Sequence, residues 1–224
     1  MVSTTSSSPS LHDRSIDGAA DLLRRDFEAW MADLPSRPAE HARFVNTLSM
    51  LEHIGSVKIA RTQAGTAITE QVLQHLAEET RHAQVLKRIV RSIDRPSSLD
   101  YHDSRLLAGS TARGYFARLD AGVRAFVRRE LPADRQPRAA YNLVTWLVEL
   151  RASWLYPAYQ SALKNAGLRL SVRSIIGEEE RHLAEIVEGL RDIGIEDHPR
   201  LGELLEHEER LFERLAREMM SYEF

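Results

Sequence analysis

Apolar residues recur at three- and four-residue spacing along most of the 224-residue chain, and the two-residue alternation of strands is absent. The pattern predicts an all-α protein. A first helix is expected from about Ser15 to Leu34, after which "PSRPAE" breaks the chain. Long helices follow over about 39–64 and 67–93, divided by "GT", with Thr66 as the N-cap of the second. "DRPSSLDYHDS" reads as a loop, then come a helix over about 110–131 and the break "PADRQP". The next helix covers about 138–165, and "NAG" reads as its C-cap. A helix over about 171–193 ends at "GIEDHP", and a charged last helix covers about 201–220. Pro157 is expected to kink the 138–165 helix.

The long helices form two pairs, 39–64 with 67–93 and 138–165 with 171–193. The connection between the pairs, about 45 residues, is expected to be one long crossover of an antiparallel bundle. The second helix of each pair carries the same string, Glu-Glu-x-Arg-His, once at residues 78–82 and once at 178–182. No residue-by-residue repeat accompanies it.

Within each copy, Glu79 and His82, or Glu179 and His182, lie three residues apart. That spacing places them one helical turn along, so both can reach one point. Glu79 shares a face with Val72, His75, Leu76, Ala83 and Leu86, and Glu179 shares one with Val172, Ile175, Ile176 and Ile186. Such apolar faces point inward. The partner helices each carry a lone acid in an apolar stripe. Glu52 lies among Val45, Leu48, Ser49, Gly55, Ser56 and Ile59. Glu149 lies among Asn142, Thr145, Trp146, Ala152, Ser153 and Tyr156. By rise per residue, Glu52 and Glu79 stand about thirteen residues either side of the turn near Gly65, at equal depth; Glu149 and Glu179 match less well.

Four inward carboxylates and two inward imidazoles are costly in a core unless cations are present. Two divalent metals would neutralise them, each sequence copy supplying half of the site. Carboxylate and imidazole donors suit iron or manganese. A single Glu-x-x-His on a helix is most often a solvated pair. Two copies on apolar faces, each opposite a lone inward Glu, outweigh that reading.

With these six residues assembled, residues 39–193 resemble the ferritin-like di-iron carboxylate superfamily, through the order Glu…Glu-x-x-His…Glu…Glu-x-x-His. The fuller acid-Glu-x-Arg-His string is similar to acyl carrier protein desaturases and to the hydroxylase subunits of bacterial multicomponent monooxygenases. The resemblance implies that Glu78 and Glu178 each accept a hydrogen bond from the ligand histidine of the opposite motif, and that Arg81 and Arg181 pair with these acids. This chain is much shorter than either group. Ferritins lack the second complete Glu-x-x-His, and rubrerythrins often carry a cysteine-ligated iron domain.

Cysteine is absent, which excludes disulfides, thiolate metal sites and cysteine nucleophiles from this sequence. A formal net charge of −3 and scattered basic residues suggest neither a nucleic-acid nor a membrane partner, and no apolar run is long enough to span a bilayer. "MVSTTSSSPSLHDR" is not a secretory signal; residues 1–14 are expected to be a disordered tail and 15–224 a single helical domain in a cytoplasmic protein.

Several residues carry two readings. His75 is a further ligand or proton shuttle, or a buried histidine with a backbone partner. Tyr156 and Trp146 are electron donors near Glu149, as the superfamily resemblance allows, or aromatic core. Gly55, Ser56, Ala83, Ala152 and Ser153 leave room for dioxygen and substrate, or let helices approach closely. The last helix is a solvated face or a homodimer contact, with Glu206 and His207 exposed. The expected function is an oxygen-activating oxidoreductase holding two Fe ions (Mn, or mixed Fe/Mn, as the alternative) and acting on a small substrate. An electron-donor protein is expected because no G-x-G-x-x-G is present. The rivals are a ferroxidase or di-manganese catalase, and a non-enzymatic helical interaction protein.

Overall fold

The computed structural model describes residues 18–62 and 68–221. Among these are seven α-helices and no strand: α1 (Gly18–Asp33), α2 (Pro38–Thr62), α3 (Glu70–Ile93), α4 (Gly109–Glu130), α5 (Gln136–Asn165), α6 (Arg173–Asp192) and α7 (Leu201–Met220). The expected tail over residues 1–14 and the expected cap Thr66 lie outside the described residues. The cap observed is Thr69, which accepts a hydrogen bond from the Val72 amide, so α3 starts later than the periodicity predicts. α5 and α6 both end on glycines in left-handed backbone, Gly167 at φ 68° and Gly194 at φ 67°. Each bonds back into its helix in the Schellman pattern, with Leu168 N–H to Leu163 O and Ile195 N–H to Leu190 O. α5 runs unbroken through Pro157.

Two antiparallel pairs position the site. Along α2 and α3, Ser49 bonds to the carbonyl of Ala83 while Asn46 meets Lys87 further along, so partners run in opposite order. Along α5 and α6, Arg138 meets Asp192 and Gln160 meets Val172 in the same opposed sense. The pairs face each other across their acid- and histidine-bearing sides. His41 on α2 bonds to the Tyr159 hydroxyl on α5 at 2.7 Å, and His82 on α3 reaches Glu178 on α6 at 2.7 Å.

α1, α4 and α7 complete the core around α5. Fully buried Phe27 of α1 packs edge-on against Phe44, Trp154 and Phe212. One face of α7, a helix expected from its charge to be a solvated face or a dimer contact, packs into the core while Glu203, Glu206 and Arg210 on the other stay exposed. Leu201, Leu204, Phe212, Leu215 and Met219 bury one stripe, and Glu208 is buried with them. There Arg151 of α5 makes paired bonds to Glu208 at 2.9 and 2.5 Å and one to Glu209 at 2.7 Å, while the Tyr115 hydroxyl of α4 donates to Glu208 at 2.7 Å. The charge is therefore fully partnered, which a buried carboxylate requires. Glu206 is exposed, but His207 is half-buried, with its Nε2 3.2 Å from the Arg118 carbonyl oxygen.

Burial lowers the pKa of His41 to about 4, so the folded protein holds it neutral. The unfolded chain takes up a proton near pH 6.5 and the folded chain does not. Above pH 6.5 His41 costs nothing; as pH falls from 6.5 to 4 the unfolded state gains up to roughly 3 kcal/mol, and below 4 the loss is constant. His41→Gln is expected to lack this component. Urea unfolding of both proteins at pH 7 and pH 4.5 checks it: the wild type should lose more stability than the variant, and equal losses would refute the assignment.

Candidate metal centre

Each donor reaches the centre because a helix stripe that is otherwise apolar carries it inward. Glu79, His82, Glu149, Glu179 and His182 are all buried. Glu52 is only slightly more open, with 13% of its side chain exposed. Two groups of donor atoms form, each with all its atoms within 4.8 Å of one another: Glu52, Glu79, His82 and Glu179, and His75, Glu79, Glu149 and His182.

The two halves interleave. Each sequence copy on its own suggests half a site, but Glu79 belongs to both groups. Glu179 reaches both imidazoles, with Oε1 3.0 Å from His82 Nδ1 and Oε2 3.3 Å from His182 Nδ1. His75 joins the second group through Nε2, 3.3 Å from Glu79 Oε1 and 3.5 Å from Glu149 Oε1. Its Nδ1 lies 2.9 Å from the Tyr141 hydroxyl, so the backbone partner expected for it is replaced by a tyrosine that spacing did not single out.

Both motif histidines present Nδ1 to the centre and turn Nε2 outward. His82 Nε2 lies 2.7 Å from Glu178 Oε2, and His182 Nε2 lies 2.7 Å from Glu78 Oε2, so each motif's first acid holds the other motif's histidine. Arg181 donates to Glu78 at 2.5 Å and Arg81 meets Glu178 at 2.7 Å. Burial would raise the Glu78 carboxyl, but the hydrogen bonds from His182, Gln74 and Arg181 outweigh it and hold it at about 2. A carboxylate outside each imidazole fixes the ring orientation at Nε2, so that a metal would meet Nδ1.

Charge at the centre is unbalanced without cations. Burial, then Glu79 and Glu179, pushes the Glu52 carboxyl well above its usual range. Burial, then Glu179, does the same to Glu149. Burial disfavours charge on His82, but Glu179, Glu52 and Glu79 overcome it and push its pKa up to about 10. The side chains are forced to share protons. Glu79 Oε1, His82 Nδ1 and Glu149 Oε2 are buried with no hydrogen-bond partner. Such atoms cost free energy in a dry site unless something else satisfies them. All three belong to residues of the two donor groups, and the donor set of carboxylates and imidazoles is one that divalent iron or manganese accepts. The residues present fit a pair of such ions.

No family model, curated protein or solved structure matches the chain.

A cavity of about 470 Å³ opens onto this centre. Glu52, His75, Glu79 and Glu149 form its floor, and Leu51, Ile59, Phe116, Val127, Val144 and Val148 its apolar walls. Gly55 lines it; a Cβ there would stand 3.3 Å from Glu79 Oε2, so the glycine keeps the approach to that carboxylate open. The other small residues do not line it. Ser56 is buried and bonds its own helix at the His53 carbonyl. Ser153 is exposed, with its hydroxyl on the Leu150 carbonyl. Ala152 lines a separate cavity of about 70 Å³ that also touches Glu52 and Tyr156. Tyr156 donates a hydrogen bond to Glu52 Oε1. Trp146 is buried, and its Nε1 has no hydrogen-bond partner; nothing in the structure assigns it a part in the centre.

Glu78→Gln keeps the size of the side chain but removes the charge behind His182. Metal affinity is expected to fall by about 10- to 100-fold, and the metal-free protein to unfold at a lower midpoint, because Arg181 and His182 lose their anionic partner. Titration against a competing chelator measures this; unchanged affinity would show that Glu78 does not support the centre.

Proposed function

We propose that the chain is a dioxygen-activating di-iron carboxylate oxidoreductase of ferritin-like architecture, acting on a small organic substrate. One observation carries the reading: the two interleaved Glu/His groups form the floor of a cavity large enough for a substrate. When bound, a pair of ferrous ions supplies electrons and open coordination positions for dioxygen. The protein's own part is geometric and electrostatic. Glu52, Glu79, Glu149, Glu179, His82 and His182 hold the ions, with His75 beside them. Glu78 and Glu178 orient the imidazoles, and Tyr156 fixes one oxygen of Glu52. The apolar walls exclude water from the reacting end and position the substrate. Electrons for repeated turnover come from a separate donor.

Two features weigh against the rivals. A ferroxidase or catalase needs room only for its metals and a small oxidant, whereas about 470 Å³ of mostly apolar space is lined here. A purely structural network would pair its inner acids with cations. Here the arginines of the two motifs pair with Glu78 and Glu178, and among the described residues the inner carboxylates have no arginine or lysine within ion-pair distance, only histidines.

The test is dioxygen uptake by protein loaded anaerobically with ferrous iron, with a chemical reductant in excess. Uptake is expected to continue past the first iron equivalents, and Glu149→Ala is expected to lower its rate at least about tenfold. A single burst ending in ferric precipitate would indicate iron oxidation alone, and equal rates in wild type and variant would remove the site from the reaction.

A further inference from the structure

The floor of the large cavity is acidic, but its rim is basic. Lys58 of α2, Arg124 and Arg128 of α4, and the polar Thr62 and Gln136 line the end away from the centre. Exposure rises in the same direction, from buried Glu149 and Glu79 to exposed Arg124, Arg128 and Thr62. Two of these three cations share one carboxylate. Asp120 pairs with both Lys58 and Arg124. Arg128 donates its Nε to the Arg124 carbonyl at 3.1 Å and has no carboxylate partner among the described residues. A guanidinium anchored at one edge, with its remaining N–H groups free, is preorganised to bind a carboxylate.

Between rim and floor the walls are mostly apolar, with Tyr141 and Thr145 as polar members. Ile59, Val127, Pro137, Ala140, Val144 and Val148 offer no polar side-chain group to a ligand. Glu52 and Lys58 are six residues apart on α2, an axial rise of about 9 Å. An extended hydrocarbon of roughly seven bonds, each near 1.5 Å in a zigzag, covers that distance.

We propose that the cavity binds an amphipathic organic anion, a carboxylate head held at the rim by Arg128 with Lys58 and Arg124, and an unbranched apolar body of about seven bonds lying toward Glu52 and Glu79. The order of charge fixes the direction of entry. A carboxylate head is attracted to the cationic rim, whereas the floor is acidic without metal and neutralised with it, so the molecule binds tail first. Its far methylene groups then lie against the metal-binding side chains while its head stays outside. That the bound molecule is the substrate rests on the proposed function; that it binds does not.

The experiment is calorimetric titration of the metal-loaded protein with octanoate, 1-octanol and octylammonium, with metal content measured on the same samples. Octanoate is expected to bind about tenfold more tightly than 1-octanol, and octylammonium more weakly than either. Arg128→Gln, a change at an exposed side chain, is expected to reduce octanoate binding about tenfold and leave 1-octanol binding unchanged. Ala140→Trp, which fills the apolar passage, is expected to weaken both. Equal affinity for octanoate and 1-octanol overturns the proposal. So does octanoate binding that survives Arg128→Gln, since the carboxylate would then be held at the floor. Charge-selective binding in protein that holds no metal would support this inference while removing the proposed function. Metal without charge selectivity would do the reverse.

Discussion

Four carboxylates and three imidazoles are packed into a space too small and too dry for all the acids to ionise together. This constraint governs the rest of the molecule. Without cations, protons must be shared, as the raised Glu52, Glu149 and His82 show, and three donor atoms stay unsatisfied. An apolar core of the same volume would be more stable. The arrangement makes physical sense when divalent ions supply the missing positive charge and when the surrounding helices are rigid enough to hold the donors together.

The scaffold supplies that rigidity from outside the centre. The crossed contacts, Glu78 behind His182 and Glu178 behind His82, tie α3 to α6, so neither imidazole can turn without breaking a short bond to a charged partner. Tyr156 and Tyr159 tie α5 to α2. The buried Arg151–Glu208 pair fixes α7 against α5 and brings α4 with it through Tyr115. α4 in turn provides the Phe116 and Val127 wall and the Arg124 and Arg128 rim of the large cavity. A helix whose sequence looks merely solvated therefore helps place the side chains that line the wall and rim of the cavity.

The helices were legible because apolar spacing is a local property, and their bounds shifted by only a few residues where caps decided them, as at Thr69. The acids and histidines stood out because each interrupts an apolar stripe. What spacing could not give was anything that depends on how helices meet. The interleaving of the two groups at Glu79, and the entry of His75 with Tyr141, follow from the approach of α3 to α5. The small residues were read by helical phase alone. Phase drifts across the 30 residues of α5 and left Ser153 on the outside. The burial of α7 was available in its Leu201, Leu204, Phe212, Leu215 and Met219 spacing, but its many charges concealed it.

The proposed function stands on two metal ions held by the two Glu/His groups, which have Glu79 in common. Metal content per chain, by plasma mass spectrometry on untagged wild-type protein and on Glu79→Ala made in iron- and manganese-supplemented medium, tests it most directly. About two ions per wild-type chain and fewer than about one in the variant is the expected result, because the shared carboxylate serves both positions. A wild type without metal, or a variant that keeps the full complement, would contradict it and reduce the repeated Glu-Glu-x-Arg-His to a feature of helix packing.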